Sequence, residues 1–586
     1  MRQWMVAAKK ADFYAIAEKF HVDPVVARII RNREVIGEKN IRIYLGGNLS
    51  DLSDPHQMKD MDRLVEILAQ KIRKQVHIRI IGDYDVDGVT SSHLFLTALR
   101  RVGAKVDVVI PHRIQDGYGL SLHLLQKAKE DGVDTILTCD NGIAAIDEIA
   151  WAKAQKMTVL VTDHHAVPFE EHEDRRTEKK SLADAVVNPH QQDCGYPYKE
   201  LCGAGVAWNV IRVLYENYDM DKREAEDLLD FVAMATVCDV MSLTGENRIL
   251  VKEGLKRIRH TKNIGLQALM QACNVQPENI SAYHFGYVLG PCVNATGRLD
   301  TARHALRLFE TGQETEAEEI ARDLVDLNQE RKELTLQGVE MAKKLCEEGG
   351  YENDPVLVLF LPDVHESIAG LIAGRIREMY NRPVFVLTRG EEGVKGSGRS
   401  TENYSMYENM CGCAELFTKF GGHPMAAGLS LPEENVEKFR RKINENCPLT
   451  VEEVCPDIHI DMAMPVEYAS TELVHQFALL EPFGKDNPSP LFADRNLSIS
   501  RMWLIGKNRN VLRMSVLSEY GQPVPVIFFG DVETLFAYFT EKFGQEEVEN
   551  ALHGRKNRIL FSMVYTAKID FYQGNENLQL EMKYYR

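Results

Sequence analysis

Between about residues 77 and 190 the chain alternates short β-branched runs with helix-length segments, and this pattern constrains the fold more than any other feature. His77–Ile81 (HIRII), Val106–Pro111, Thr135–Thr138 and Thr158–Val161 read as strands. Thr90–Arg101, Ser121–Lys129 and Ala144–Gln155 read as the helices between them. Such alternation specifies an α/β fold built on a parallel, doubly wound sheet.

The flanking sequence has a different character. Residues 200–275 read as mostly helical, and Glu314–Glu348 is a charged helical stretch without Gly or Pro, with Ile320, Leu324 and Leu327 near helical spacing. This stretch is expected to connect two lobes. Residues 355–430 alternate again and predict a second, smaller α/β domain; Cys447–Pro456 is turn-rich and marks a boundary. Beyond it, LSISRMWLI, VLRMSVLS, VPVIFF, ILFSMVYTAKIDF and LQLEMKY predict short strands of an OB-type β-barrel. The expected division is a helical N-terminal region (1–50), the first α/β domain (51–313), the connecting helix (314–350), the second α/β domain (351–447) and the barrel (455–586).

Composition excludes several classes. The longest apolar runs, such as Val384–Leu387, are strand-sized and far short of the ~20 residues of a membrane span, so no membrane role is expected. The N-terminus lacks the apolar core of a signal peptide. The 11 cysteines include no C-x-x-C pair, and Cys411 and Cys413 are spaced tightly for a disulfide. Reduced thiols and a cytoplasmic location are therefore expected. The net charge of −18 argues against non-specific duplex binding, but a local basic channel is compatible with it.

Acidic residues stand at one position relative to three strands. HIRII runs into Asp83, Asp85 and Asp87, TILT into Asp140, and TVLVT into Asp163, His164 and His165. In a parallel sheet the crevice beyond the carboxyl ends of the strands is where ligands bind. Taken singly, an Asp at a strand end is an ordinary helix cap. D-x-D-x-D-G also has the look of a Ca²⁺ loop, but the twelfth position from Asp83 is Leu94. The three motifs together crowd like charge, which bound cations relieve. Oxygen and nitrogen donors without thiolate favour Mn²⁺ or Mg²⁺, and more carboxylates than one ion can use argue for two ions.

These motifs resemble the signatures of the DHH phosphoesterase superfamily, with ATVCDVMSL adding Asp239. GDYDVDGVTS, PHRIQDGYGL, LCGAGVAW, GPCVNATGRL, VHESIAGLIAGRI, KGSGRS, GGHPMAAG and LEPFGKDNPSP follow in the order seen in its RecJ branch of bacterial single-strand-specific exonucleases. The likeness runs from about residue 35 to beyond 490. Two positions depart from it: Asp486 stands where Gly is frequent, and Val364-His365-Glu366-Ser367 stands where Trp-His-x-Gly is usual.

The resemblance implies metal ligation by Asp83, Asp85, Asp87, Asp140, Asp163, His164, His165 and Asp239, with Asp85, Asp87, Asp140, His164 and His165 closest to the chemistry. Asp83, Asp163 and His165 are either direct ligands or groups that orient them. KGSGRS and GGHPMAAG read as glycine-rich loops suited to phosphate. By resemblance Ser397, Arg399, Arg113 and Tyr118 receive a 5′-terminal phosphate, Arg298 and His365 line the strand's path, and His423 lies on the second glycine-rich loop of the domain that holds the substrate's backbone. On the barrel, Trp503 with Lys507, Arg509 and Arg513 suits single-strand stacking. The implied activity is 5′→3′ hydrolysis of single-stranded DNA to 5′-mononucleotides in repair and recombination, alongside a helicase and a single-strand-binding protein. The alternatives are a phosphoesterase for short oligonucleotides, cyclic dinucleotides or polyphosphate, and a non-catalytic DNA-binding scaffold.

Overall fold

The computed structural model of the chain describes residues 3–112, 116, 119–172, 175–299, 301–390, 393–506, 509–518, 521–572 and 574–586. Two compact units emerge: Asn48–Pro456, and Arg2–Gly47 together with Asp457–Arg586.

In the first unit, helix α1 (Met61–Arg73) buries Met61, Leu64, Val65, Leu68 and Ile72 along one stripe. The sheet that follows contains β1 (Ile78–Ile81), β2 (Val106–Val109), β3 (Thr135–Cys139), β4 (Thr158–Thr162) and β5 (Ala185–Val187). All its pairings are parallel, in the order β2-β1-β3-β4-β5. Crossovers run through α2 (Val86–Arg101), α3 (Leu122–Glu130) and α4 (Ile146–Ala154). Period-two alternation splits the strands between two cores. Ile78, Ile80, Leu137 and Leu160 pack with α1 and α2, whereas Ile81, Ile136, Val159 and Val161 pack with α3 and α4. The sheet is thus doubly wound, as its sequence predicts. The chain passes from β1 to β2 on one side and then to β3 on the other, so the topological switch lies beside the ends of β1 and β3.

Two features differ from the sequence expectation. Helix α2 starts at Val86 rather than Thr90, because Asp85 accepts the Gly88 N–H at 3.0 Å and caps it. The acidic run is therefore the first turn of a helix. Strand β5 escapes notice because it is short and follows an inserted hairpin, Phe169–His172 with Arg175–Glu178.

Helices α5 (Gly203–Asn217), α6 (Leu229–Cys238), α7 (Gly245–Ile258) and α8 (Gly290–Leu299) complete the first core. The 35-residue α9 (Glu314–Glu348) buries Ala317, Ile320 and Leu324 in that core and Val339, Ala342 and Cys346 in the next. It is the expected connecting helix. The second sheet has the order β9-β10-β8-β7-β6, made of β6 (Leu357–Phe360), β7 (Val384–Gly390), β8 (Gly393–Arg399), β9 (Lys419–His423) and β10 (Ala426–Leu431). Helix α10 (Ala369–Tyr380) covers β6 and β7. On the opposite face, Val358, Phe385, Leu387 and Leu429 pack with Phe439 and Ile443.

In the second unit five strands close into a barrel. Phe492–Ile505, Val511–Leu517, Pro523–Phe528, Asn575–Tyr585 and Leu560–Tyr572 are neighbours in that order, and the last pairs back to the first. These are the strands read from the sequence. The helices Val532–Phe543 and Gln545–Leu552 were not read; they put Leu535, Phe539, Val548 and Ala551 into the barrel core. Helices Phe13–Phe20, Pro24–Asn32 and Glu38–Gly46 share this core through Val25, Val26, Ile29, Ile30 and Tyr44. Asp486 adopts φ +60°, which explains why Gly suits that position.

Arg33 joins the two ends of the chain by donating to both oxygens of Asp461 at 2.7 and 3.0 Å, with side-chain exposures of 9% and 7%. Removing one partner of such a pair leaves a buried charge uncompensated, at a cost of about 3–5 kcal/mol. Arg33→Ala is therefore expected to accelerate amide hydrogen exchange across 457–464, and unchanged exchange there would refute this role.

Candidate metal centre

The ends of β1, β3 and β4 and the helices that follow them bring the acidic side chains to one place. Asp83 lies at the end of β1, Asp85 caps α2, and Asp87 occupies the first turn of that helix. Asp87 is held from across the crevice. Its Oδ2 and Oδ1 accept the Gly203 and Ala204 N–H groups at 2.6 and 2.7 Å, at the N-terminus of α5. That helix end is electropositive and orients the carboxylate. Gly203 is needed here: a Cβ would lie 2.7 Å from Asp140 Cβ. Gly88 is needed likewise, since its Cβ would meet the Asp83 backbone at 2.5 Å. The Val86 N–H donates to Asn294 Oδ1 at 3.1 Å, which ties α8 to this turn. Residues 203, 204 and 294 carried no assigned role in the sequence reading. The signal available was the small-residue Gly-Ala-Gly run opening an apolar helix.

Asp140 adopts φ +63°, a left-handed conformation that Asp tolerates better than most residues and that turns its side chain over the strand end. Asn141 Nδ2 donates to the carbonyls of Ile81 and Cys139 at 3.0 and 2.9 Å and so locks β1 to β3. His164 Nε2 sits 3.1 Å from Asp140 Oδ1, 3.6 Å from Asp239 Oδ2 and 3.7 Å from Asp87 Oδ2. Asp239 follows α6 directly, at the electronegative end of a helix, where a carboxylate is unfavourable without a cation.

Asp163 is different. Its Oδ1 accepts the N–H groups of His164 and His165 at 2.7 and 3.1 Å and contacts His165 Nδ1 at 2.8 Å, while its Oδ2 accepts the Ile143 N–H at 2.9 Å. With both oxygens committed, it orients the histidine pair. The remaining predicted ligands fall into three overlapping sets whose donor atoms lie within 4.8 Å of one another: Asp83, Asp85 and Asp140; Asp87, His164 and Asp239; and Asp140, His164 and His165.

The electrostatics match a cation site. Burial, and then the charge of Asp85, push the Asp83 carboxyl well above its ordinary range. Burial and Asp87 raise Asp85. Burial and the neighbouring carboxylates raise Asp140 strongly. Burial lowers His164 and keeps it a neutral donor. His165 is also penalised by burial, yet its hydrogen bond to Asp163 and the surrounding negative charge carry it to about 9. Asp83 Oδ1 and His164 Nε2 are buried without a hydrogen bond, although lone-pair atoms surround them. This donor set fits divalent cations of the Mn²⁺ or Mg²⁺ type.

The second sheet contributes a polar face. KGSGRS is the central strand β8, not a loop. Its glycines face the apolar core, where a Cβ at Gly396 would lie 2.4 Å from Leu387 and one at Gly398 would lie 2.6 Å from Met406. Lys395, Ser397 and Arg399 alternate onto the other face, and strict period-two spacing was the overlooked signal. GGHPMAAG is likewise a hairpin of β9 and β10, which places Arg399, Ala426 and His423 in one row across three strands. The Arg399 guanidinium lies against the first turn of α10, where a Cβ at Gly370 would be 3.0 Å from its Nη2. A cavity of about 240 Å³ joins Tyr84, between Asp83 and Asp85, to Ser367, Lys395, Ser397 and Gly428. Arg298 donates to the Ser367 carbonyl at 2.6 Å, and exposed His365 bonds Ser367 Oγ at 2.7 Å. Arg113 and Tyr118 lie outside the described residues.

On the barrel, Trp503 is half-buried on the outer surface, with the Arg501 and Arg513 guanidiniums 5.7 and 6.0 Å from its ring centre. Arg509 is exposed, and Lys507 lies outside the described residues.

Two outcomes follow. Asp163→Asn should weaken Mn²⁺ binding by about 10–100-fold, as loss of a ligand-orienting partner does, and calorimetric titration would read it. The raised carboxylates make the metal-free folded chain bind more protons than the unfolded chain. Its stability therefore falls as pH rises from the ordinary carboxylate range through the raised values. Mn²⁺ relieves that loss, so its gain in melting temperature should be larger at about pH 8 than at about pH 5. Equal gains would refute the charge crowding.

Residues 77–236 match the DHH family, N-terminal domain; residues 353–447 match the DHHA1 domain; and residues 460–584 match the RecJ OB domain. A Haemophilus influenzae protein named single-stranded-DNA-specific exonuclease RecJ is 32% identical over 582 residues, covering 96% of each chain. The protein of that name from Bacillus subtilis is 33% identical over 512 residues, 87% of this chain but 63% of its own length, so this chain spans just under two thirds of that relative. The crystal structure of RecJ in complex with Mn²⁺ from Thermus thermophilus superposes with a TM-score of 0.81 at 25% identity, covering 100% of this chain and 79% of that one. A structure of exonuclease RecJ bound to manganese gives 0.56 at 32% identity, over 66% of this chain and 94% of that one. With its carboxylate–histidine cluster, its second α/β lobe and its barrel all matched, the chain belongs to the RecJ family of the DHH superfamily.

Proposed function

We propose that the chain is a metal-dependent exonuclease that degrades single-stranded DNA from its 5′ end to 5′-mononucleotides. One observation carries this reading: Tyr84, between Asp83 and Asp85 of the cluster, lines a cavity walled by Lys395 and Ser397 of the second sheet. On this reading a scissile phosphodiester at the cluster would lay its 5′ neighbour toward that face.

Asp83, Asp85 and Asp140 would hold one divalent ion, and Asp87, His164 and Asp239 a second, with Asp140 and His165 completing the set. When bound, two such ions supply Lewis acidity for acidifying water and neutralising phosphate charge. The chain's own residues do the rest. Asp163 fixes the His165 ring, and the N-terminus of α5 fixes Asp87, so neither group reorganises as charge develops. Ser397 and Arg399, next to the first turn of α10, form a clamp for a terminal phosphate, since a helix N-terminus and a guanidinium both favour an anion. His423 shares the Arg399 row, and Arg298 and His365 border the approach. A clamp that closes on a terminal phosphate selects ends over internal linkages. In the other unit, Trp503 with Arg501 and Arg513 offers a base-stacking and backbone-neutralising surface.

The relatives named single-stranded-DNA-specific exonuclease support the substrate, and the Mn²⁺- and Mg²⁺-bound Thermus thermophilus structures support the metals. A single-strand exonuclease needs its substrate supplied, so a helicase and a single-strand-binding protein in the cytoplasm are the partners we infer for a role in repair and recombination. None of the described helices is long and apolar enough to cross a membrane.

Asp140→Ala should reduce hydrolysis of 5′-phosphorylated single strands by about 1,000-fold or more, and Arg399→Ala should erase the preference for a 5′ phosphate while sparing the residual chemistry. Strands labelled at either end separate these effects. Full activity in Asp140→Ala, or faster turnover of a dinucleotide than of a long strand, would contradict the reading.

A further inference from the structure

A cavity of about 910 Å³ opens at the other end of the two helices that deliver Asp87 and Asp239, between α2, α6, α7 and the helix Ala302–Glu310. At its base lies His93, only 6% exposed. The His93 ring centre is 4.5 Å from that of Phe231 and 5.8 Å from that of Phe309, and the two phenyl rings are 5.0 Å apart in an edge-to-face contact. Burial pulls the His93 pKa down to about 3, so the imidazole is neutral and offers one donor and one acceptor. Its Nδ1 is buried without a hydrogen bond. A polar atom in that state is destabilising unless something reaches it.

The rest of the lining is suited to a ring with a polar edge. Asp230 accepts the Thr261 hydroxyl at 2.6 Å and the Phe231 N–H at 2.8 Å, which places a fixed carboxyl–hydroxyl pair in the same wall. The rim carries Arg100 bonded to Glu310 at 3.1 Å and Lys262 bonded to Asp227 at 3.2 Å. The Arg100 and Lys262 side chains are 58% and 89% exposed, and such exposed pairs are weak enough to exchange partners with a phosphate. A volume of this order is typical of sites that bury a small organic ligand.

We propose that this cavity binds the nucleobase of a nucleoside or nucleotide. The ring would pack on the His93–Phe231–Phe309 cluster, its hydrogen-bonding edge toward His93 and the Thr261–Asp230 pair, and any phosphate at the Arg100 and Lys262 rim. His93 is six residues along α2 from Asp87, about 9 Å at the helical rise, and Asp230 is nine residues along α6 from Asp239, about 14 Å. The cavity is therefore separate from the metal centre but shares two rigid elements with it. Binding here does not depend on what the metal centre cleaves.

The test is calorimetric titration of the full-length Mn²⁺-loaded chain with the four 2′-deoxynucleosides, their 5′-monophosphates and inorganic phosphate. Nucleosides lack the phosphate that the metal centre requires, so they report on the cavity. Thr97→Trp, on the exposed mouth of α2, should close the site, and His93→Phe should keep the ring cluster while removing its polar edge. At least one nucleoside should bind, and either substitution should weaken it about tenfold or more. The proposal is overturned if no nucleoside binds at millimolar concentration, or if Thr97→Trp leaves nucleoside binding unchanged.

Discussion

Mutual repulsion among buried carboxylates is the constraint on which the rest of this molecule turns. Asp83, Asp85 and Asp140 are pushed toward protonation by burial and by the carboxylates around them. Charges a few ångströms apart at low effective dielectric interact far more strongly than in water. A fold that brings them together must hold them rigidly and must provide for cations. The rigidity comes from the doubly wound sheet: three adjacent strands end side by side, and Asn141 ties two of those ends together.

Helix ends finish the arrangement. The N-terminus of α5 grips Asp87, while α6 presents Asp239 at its electronegative end, where only an added positive charge makes the position favourable. One carboxylate is thereby held by a helix N-terminus, and the other stands at a helix end where a cation is favourable. The same sheet-and-helix logic extends into the second lobe. Glycines on the core side of β8 let Leu387, Phe385 and Met406 pack closely, and the polar residues between them form the opposite face of the strand.

Most of the fold was legible in the sequence because it rests on periodicity. The β1, β3 and β4 runs, the long α9 and the five barrel strands follow directly from apolar spacing. Most of the acidic cluster was legible because its members follow equivalent strand ends; Asp239, at the end of a helix, is visible only through the family resemblance. What escaped depends on tertiary pairing or on short elements. Strand β5 is brief and preceded by a hairpin, so local pattern carries little signal. KGSGRS reads as a loop when glycine is taken to mean a turn; only the neighbouring bulky side chains show why a central strand needs glycine there. Asp163 shares its motif with His164 and His165, and composition cannot reveal that its oxygens are already committed to Ile143 and the two histidines. The link between the N-terminal helices and the barrel, through Arg33 and Asp461, spans more than 400 residues of sequence and leaves no local trace.

Two divalent ions in overlapping ligand sets would relieve the crowding of the carboxylates. Equilibrium dialysis of the full-length chain against Mn²⁺, with metal counted by atomic emission, tests it most directly. Two ions per chain are expected at saturation, falling when Asp239 is replaced by Asn because that change depletes one set. Saturation at a single ion, or a stoichiometry unaffected by Asp239→Asn, would contradict it.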